Sequence, residues 1–177
     1  MRYCPRCASP LVECGIAGRA RLSCPDAACG YVFWDNPLPV LAGLVERDGL
    51  VVLARNHAWP EKMFGLVTGF MERDETPEEG VAREVQEELG LVTRSASLIG
   101  IYPFQRKNEL ILAYHVVAEG EIALNEELAE FRPIDGAFII TSVKAAPGRS
   151  FLAATLVSVQ ITIDGDQATG IWYLQDK

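Results

Sequence analysis

Gly69-Phe70-Met71-Glu72-Arg73-Asp74-Glu75-Thr76-Pro77-Glu78-Glu79-Gly80-Val81-Ala82-Arg83-Glu84-Val85-Gln86-Glu87-Glu88-Leu89-Gly90-Leu91 is the stretch on which the fold turns. Its second half carries a full set of helix signals. Thr76 suits the N-cap, Pro77 the first helical position, and Glu79 completes a Thr-x-x-Glu capping box. Gly90 suits the left-handed residue that terminates a helix. The spacing predicts a helix over 77–89. Val81, Val85 and Leu89 recur every four residues and form a stripe that faces a core. Glu84 and Glu88 form a second line beside it, with Glu87 three residues from Glu84.

Carboxylates so placed repel one another by several tenths of a kcal/mol per pair, and the C-terminal half of a helix disfavours anions further. A bound Mg²⁺ or Mn²⁺ compensates for this, because such hard cations prefer carboxylate oxygens and leave their remaining positions to water and substrate phosphates. A solvated acidic face is the alternative reading. The glycine-bearing approach and the built-in Arg83 favour the metal: Arg83 can bridge to Glu75 or Glu87, and its planar fork suits the orienting of carboxylates.

Working outward, the whole chain has 177 residues, 49% hydrophobic and 23% charged, with 16 Lys+Arg against 24 Asp+Glu and a net charge of −8. This is an ordinary globular composition for one domain with a small appendage. The acidic balance argues against broad nucleic-acid binding and against an anionic membrane, both of which need basic patches. No stretch reaches the roughly 20 apolar residues of a membrane span, and the N-terminus lacks the apolar core of a signal peptide. A cytoplasmic, reducing location is the expectation, and with it no disulfide framework.

Four of the five cysteines form two pairs, Cys4-Pro5-Arg6-Cys7 and Cys24-Pro25-Asp26-Ala27-Ala28-Cys29. Four soft thiolates with no open position describe a structural Zn²⁺ site. Residues 1–34 are too few to build a core unaided, so metal binding would supply their folding free energy. Small buried thiols or a redox pair are the alternatives, and Cys14 is left over. The expected division is a zinc ribbon over 1–34 and a second domain over 35–177.

Past Pro39 the texture becomes alternating apolar runs and turns. Val40–Val45 and Leu50–Arg55 flank a Gly-bearing turn and read as a hairpin. Leu98–Ile101 and Leu110–Ala118 read as strands, the second long and apolar enough to be central. Phe138–Thr141 is a further strand candidate. Phe151–Val159 reads either as a late helix or, with Ile161 and Ile163, as a strand. The expected class is α/β with a mixed sheet.

The quoted stretch resembles the Nudix box, Gly-x5-Glu-x7-Arg-Glu-U-x-Glu-Glu-x-Gly-U with U aliphatic. It matches at Gly69, Glu75, Arg83, Glu84, Val85, Glu87, Glu88, Gly90 and Leu91. The resemblance implies an α/β/α sandwich and hydrolysis of nucleoside diphosphates linked to another moiety. It implies Glu84 and Glu88 as principal Mg²⁺ or Mn²⁺ ligands, Glu87 as a further ligand or water-orienting group, the Thr68 carbonyl as another ligand, and a structural Glu75–Arg83 pair.

The cysteine pairs and Phe64-Gly65-Leu66-Val67-Thr68-Gly69-Phe70-Met71-Glu72 look like the NADH pyrophosphatase branch of that family. Its Ser-Gln-Pro-Trp-Pro-Phe-Pro signature corresponds to Gly100-Ile101-Tyr102-Pro103-Phe104-Gln105, which keeps only a Pro-Phe pair after an aromatic. ADP-ribose or another dinucleotide therefore stands beside NADH as substrate. Glu127, with Glu130 second, corresponds to the region that supplies an additional metal-binding or base glutamate. The resemblance also favours a homodimer.

Phe33, Trp34, Tyr102 and Phe104 are candidates to stack on a base, with core packing as the alternative for each. Arg106 and Lys107 are candidate phosphate contacts. Trp59 and Lys62 precede the box and either line the substrate mouth or form a solvated loop. Two other readings compete with a hydrolase of small nucleotides: a non-catalytic Nudix-fold nucleotide sensor, and a hydrolase of nucleotide-capped RNA.

Overall fold

The computed structural model describes residues 1–135, 155–164 and 167–175. The chain divides into two compact units, Met1–Asn36 and Pro37–Lys177. Among the described residues no helix is long and apolar enough to cross a membrane.

The first unit is a three-stranded antiparallel sheet of β1 (Val12–Ile16), β2 (Arg19–Ser23) and β3 (Val32–Phe33), in that order. Ala17 and Gly18, both at positive φ, make the two-residue turn that joins β1 to β2, a backbone twist that suits a tight hairpin. Arg21 lies over the Trp34 ring, 4.8 Å from its centroid. No residue of this unit belongs to an apolar core cluster, and of its apolar residues only Cys4 is buried. The cysteines themselves take the place of a core.

The second unit is organised by a mixed sheet. Its strands are β4 (Leu38–Arg47), β5 (Leu50–Asn56), β7 (Val67–Phe70), β8 (Val92–Phe104), β9 (Glu109–Glu119) and β10 (Leu128–Asp135), with a short β6 (Met63–Phe64) preceding β7. The order is β10-β5-β4-β9-β8, and β7 also pairs with β4. β4 and β9 run parallel while their other pairings are antiparallel. The expected hairpin is β4–β5, turning at Asp48-Gly49, and the apolar β9 lies inside the sheet.

The helix α1 spans Pro77–Leu89 with Thr76 as N-cap, a complete capping box and Gly90 left-handed at φ 70. Val81, Val85 and Leu89 are fully buried against Leu41, Val45, Tyr114 and Val116. Each such burial is worth about 1.5–3 kcal/mol, which fixes the rotation of α1 on the sheet. The flanking glutamates are thereby aimed along the edge of the helix contact.

Among the described residues the domain is an α/β fold with a mixed sheet and one helix, α1. The late-helix reading of Phe151–Val159 gives way, from Thr155 onward, to β11 (Thr155–Asp164), which pairs with β12 (Gln167–Gln175) and with β6. Alternating Val157, Val159, Ile161 and Ile163 satisfy a strand's two-residue period, and the long-range partner β6 decides between the two readings. Phe138–Thr141 lies outside the described residues.

Candidate functional site

The site begins at β7. A Cβ at Gly69 would stand 1.9 Å from the Glu84 carboxyl carbon, so glycine is the residue that lets this carboxylate lie against the strand. The next residues turn into α1 around Glu75. Glu75 accepts the Glu72 N–H at 2.6 Å and takes two bonds from Arg83, Nε and Nη2, each at 3.0 Å. Arg83 also donates from Nη1 to Glu84 at 2.7 Å and Glu87 at 3.1 Å, and from Nη2 to the Phe70 carbonyl at 3.1 Å. One guanidinium thus ties the loop to the helix and orients three carboxylates. These bonds, the Arg83 fork first and then the Glu72 N–H, hold Glu75 below the usual carboxylate range.

Glu88 has the opposite environment. Burial, then the charges of Glu84 and Glu127, push it up to about 8, and the Thr68 N–H relieves only part of that. Burial also raises Glu84, with Arg83 pulling the other way. Glu87 is the outermost of the three, with a side chain 56% exposed against 12% for Glu84. The single guanidinium of Arg83 does not offset this crowding of partly desolvated carboxylates, and their all-oxygen donor set fits Mg²⁺ or Mn²⁺.

Glu127 reaches this cluster from the loop before β10. The Ala123 and Asn125 N–H groups donate to the Leu89 and Glu88 carbonyls at 2.9 and 3.2 Å, closing the end of α1. Asn125 Oδ1 then accepts from the Glu127 and Leu128 N–H groups at 3.0 and 3.2 Å, and the Glu127 carbonyl accepts from His57 N–H at 3.0 Å. Glu130, the second candidate, is engaged by Arg55 at 2.7 Å and Arg132 at 3.4 Å. Of the two, only Glu127 lines the cleft.

That cleft has a volume of about 690 Å³, within the range of small-molecule sites. Thr68, Gly69, Arg83, Glu84, Glu87, Glu88 and Glu127 meet at one end, and Trp59, Phe104, Lys107 and Glu109 also line it. Tyr102 and Arg106 do not. The Tyr102 hydroxyl lies instead over Gly100, 2.8 Å from where a Cβ there would be, while Arg106 is exposed on the turn between β8 and β9. Phe33 and Trp34 belong to the first unit. Asn125 and Glu109 were not legible as cleft residues, because neither sits in a motif: the pairing of β9 with β4 brings Glu109 there, and the loop bond to the Glu88 carbonyl brings Asn125.

In the first unit the sulfurs of Cys4, Cys7, Cys24 and Cys29 all lie within 4.8 Å of one another. Cys4–Cys29 and Cys7–Cys24 are 3.6 and 3.4 Å apart, close to the roughly 3.8 Å edge of a tetrahedron with Zn–S arms of about 2.3 Å. The Ser9 hydroxyl and N–H bring Cys7 down to about 6, while burial pushes Cys24 up to about 12 and raises Cys29. Four crowded sulfurs cannot all ionise without a cation, and their soft donors fit Zn²⁺. Cys14, on β1, is outside the cluster.

Residues 36–153 match the NUDIX domain. Over 162 residues the chain is 30% identical to the NAD-capped RNA hydrolase NudC of Stutzerimonas stutzeri, an alignment that takes in 90% of this chain and 56% of that protein. It is 41% identical over 68 residues to the protein of the same name from Mycobacterium tuberculosis, 38% of this chain and 22% of that one. The chain therefore spans about half or less of the length of these curated relatives. A NUDIX hydrolase from Nitrosomonas europaea shares the fold at a TM-score of 0.67 and 22% identity, over 77% of this chain and 79% of that one. With two thirds of its length matched, and the box glutamates gathered in one cleft, the chain belongs to the NUDIX domain family.

Proposed function

We propose that the chain is a divalent-metal-dependent pyrophosphohydrolase that cleaves the diphosphate bridge of a nucleoside diphosphate derivative of the NADH/NAD or ADP-ribose class. The observation that carries this reading is the convergence of Glu84, Glu88 and Glu127 on the Thr68–Gly69 edge of the cleft. Glu84 and Glu88 are the principal ligands, the Thr68 carbonyl another, and Glu87 a further ligand or water-orienting group. Gly69, Glu75, Arg83 and Gly90 shape the site without touching the substrate.

Mg²⁺ or Mn²⁺, when bound, supplies the positive charge that screens the bridge oxygens and polarises phosphorus. The chain's own part is to hold the bridge in line and to move a proton. Glu127 accepts a proton from the attacking water as its oxygen bonds to phosphorus and the P–O bond of the bridge breaks. Arg83 holds Glu84 and Glu87 beside one another against their mutual repulsion. For an NADH-like substrate the products are AMP and a nicotinamide mononucleotide. The four cysteines hold a structural Zn²⁺ that folds residues 1–34 as a ribbon ahead of the Nudix domain, 35–177.

A second reading has specific support: the NudC relatives are NAD-capped RNA hydrolases by name, which makes nucleotide-capped RNA an alternative substrate. Hydrolysis of NADH, ADP-ribose, diadenosine polyphosphates and capped RNA with Mg²⁺ and Mn²⁺ separates these. Turnover of the free dinucleotides supports the first reading, and turnover of capped RNA alone supports the second. Nucleotide binding with no turnover on the whole panel supports the sensor and removes both.

A further inference from the structure

Lys107 is the basic residue of the cleft that the proposed chemistry leaves without a task. Among the described residues only Arg83 and Lys107 bring positive charge to the cleft lining, against Glu72, Glu84, Glu87, Glu88, Glu109 and Glu127. Arg83 is fully occupied by Glu75, Glu84, Glu87 and the Phe70 carbonyl. Among the described residues Lys107 has no carboxylate partner. Its ammonium lies over the Phe104 ring, 5.9 Å from the centroid.

The strand register says how far this cation is from the glutamates. Thr68, which donates its N–H to Glu88, pairs with Ala42, while Glu109 pairs with Leu38 on the same strand. Four residues of strand are about 13 Å. Lys107 lies in the turn just beyond Glu109. A bridge seated at Glu84 and Glu88 has its two phosphorus atoms close together, so Lys107 faces a different part of the substrate. That separation, less the reach of the lysine side chain, brings the ammonium to the nucleoside joined to the bridge rather than to the bridge itself.

We propose that Lys107 is a specificity-determining residue that binds a phosphate carried on the ribose of the substrate nucleoside, outside the scissile bridge. This rests on the pyrophosphohydrolase reading and names its substrate class. A ribose phosphate has two sources: a 2′-phosphate on a free dinucleotide, or the 3′-phosphodiester of a capped oligonucleotide. An ammonium at the rim of the cleft favours either, and Lys107 exchanges its ring contact for a charge-assisted hydrogen bond.

Equilibrium binding of 5′-AMP, adenosine 2′,5′-bisphosphate and adenosine 3′,5′-bisphosphate to the full chain tests this without turnover, for wild type and Lys107→Gln. The expected result is that at least one bisphosphate binds about ten- to hundredfold more tightly than AMP, and that Lys107→Gln removes this gain while leaving AMP binding within twofold. Preference for the 2′ isomer points to a dinucleotide, and for the 3′ isomer to an oligonucleotide end. Equal or absent binding of all three to wild type overturns the proposal, as does an equal weakening of all three in Lys107→Gln, which would place the lysine on the 5′-phosphate. Failure of the hydrolase reading shows separately, as lack of NADH hydrolysis by wild type.

Discussion

The two metal-seeking clusters solve one electrostatic problem in opposite ways. In the first unit four sulfurs close on one another, with no apolar core around them. In the second, partly buried carboxylates stand beside the face of a helix already secured by Val81, Val85 and Leu89. On the proposed reading the first cluster has a folding task and the second leaves coordination positions open to substrate, so that metal loss would cost structure in the first unit and chemistry in the second.

The sharpest way to break that contrast is to neutralise the helix ligands. Glu84→Gln and Glu88→Gln are each expected to lower kcat by about 10²–10⁴-fold, with the thermal transition unchanged or raised because a desolvated carboxyl, whose ionisation the fold disfavours, is removed. Steady-state rates with circular dichroism melting check this, and near-normal turnover in both variants would refute the ligand assignment. Next in size is Gly69→Ala, whose methyl would occupy the Glu84 carboxylate position. We expect about a hundredfold loss of kcat at saturating Mg²⁺, of the order seen when a reacting group is misplaced by about an ångström.

The ribbon should show the reverse pattern. Metal analysis is expected to find about one zinc per chain. Cys24→Ser should lose that zinc and the early part of the melt, while lowering hydrolysis far less than the glutamate variants. A zinc-free wild type that melts normally would remove the structural role.

How these clusters respond to pH follows from the burial of Glu88. Its folded pKa is raised to about 8, so the metal-free fold is favoured by a bound proton. That contribution is complete below the unfolded carboxylate value of about 4.3 and is lost as pH rises to about 8. A cation at Glu88 relieves the cost, so the Tm increase on adding Mg²⁺ should be larger at pH 8.5 than at pH 6. Equal shifts would remove Glu88 from the metal site. Glu75 and Glu79, both held below their ordinary values, have the opposite sign: their contribution is present above about pH 4.5 and lost as pH falls further. The smallest effect is expected at the cap, where Thr76→Ala should cost about 1 kcal/mol in denaturant unfolding and leave kcat unchanged.

Legibility in the sequence followed the range of the interactions. The bounds of α1, its capping box and Gly90 are set by residues within four positions of one another, and all were readable. So was the gathering of Glu84, Glu87 and Glu88, because helical spacing alone puts them together. The far half of the cleft was not. Tyr102 and Phe104 share the strand's alternation, yet Phe104 lines the cleft while Tyr102 folds over Gly100. Of the adjacent cations Arg106 and Lys107, only the second does so, and the turn conformation between β8 and β9 makes that choice. Asn125 was invisible as a motif because its role is to cap backbone N–H groups, which no side-chain pattern reports. The strand β11 was ambiguous for a similar reason: it pairs with β6 through Ile161–Phe64 and Thr162–Met63, partners far apart in the chain.

The most direct test of the central claim is the rate of AMP release from NADH and from ADP-ribose by the purified chain as Mg²⁺ or Mn²⁺ is titrated after chelation. The account predicts negligible release without divalent cation, saturable restoration on adding it, and no restoration in Glu88→Gln. Release that persists in chelator, or that Glu88→Gln supports at the wild-type rate, would contradict it.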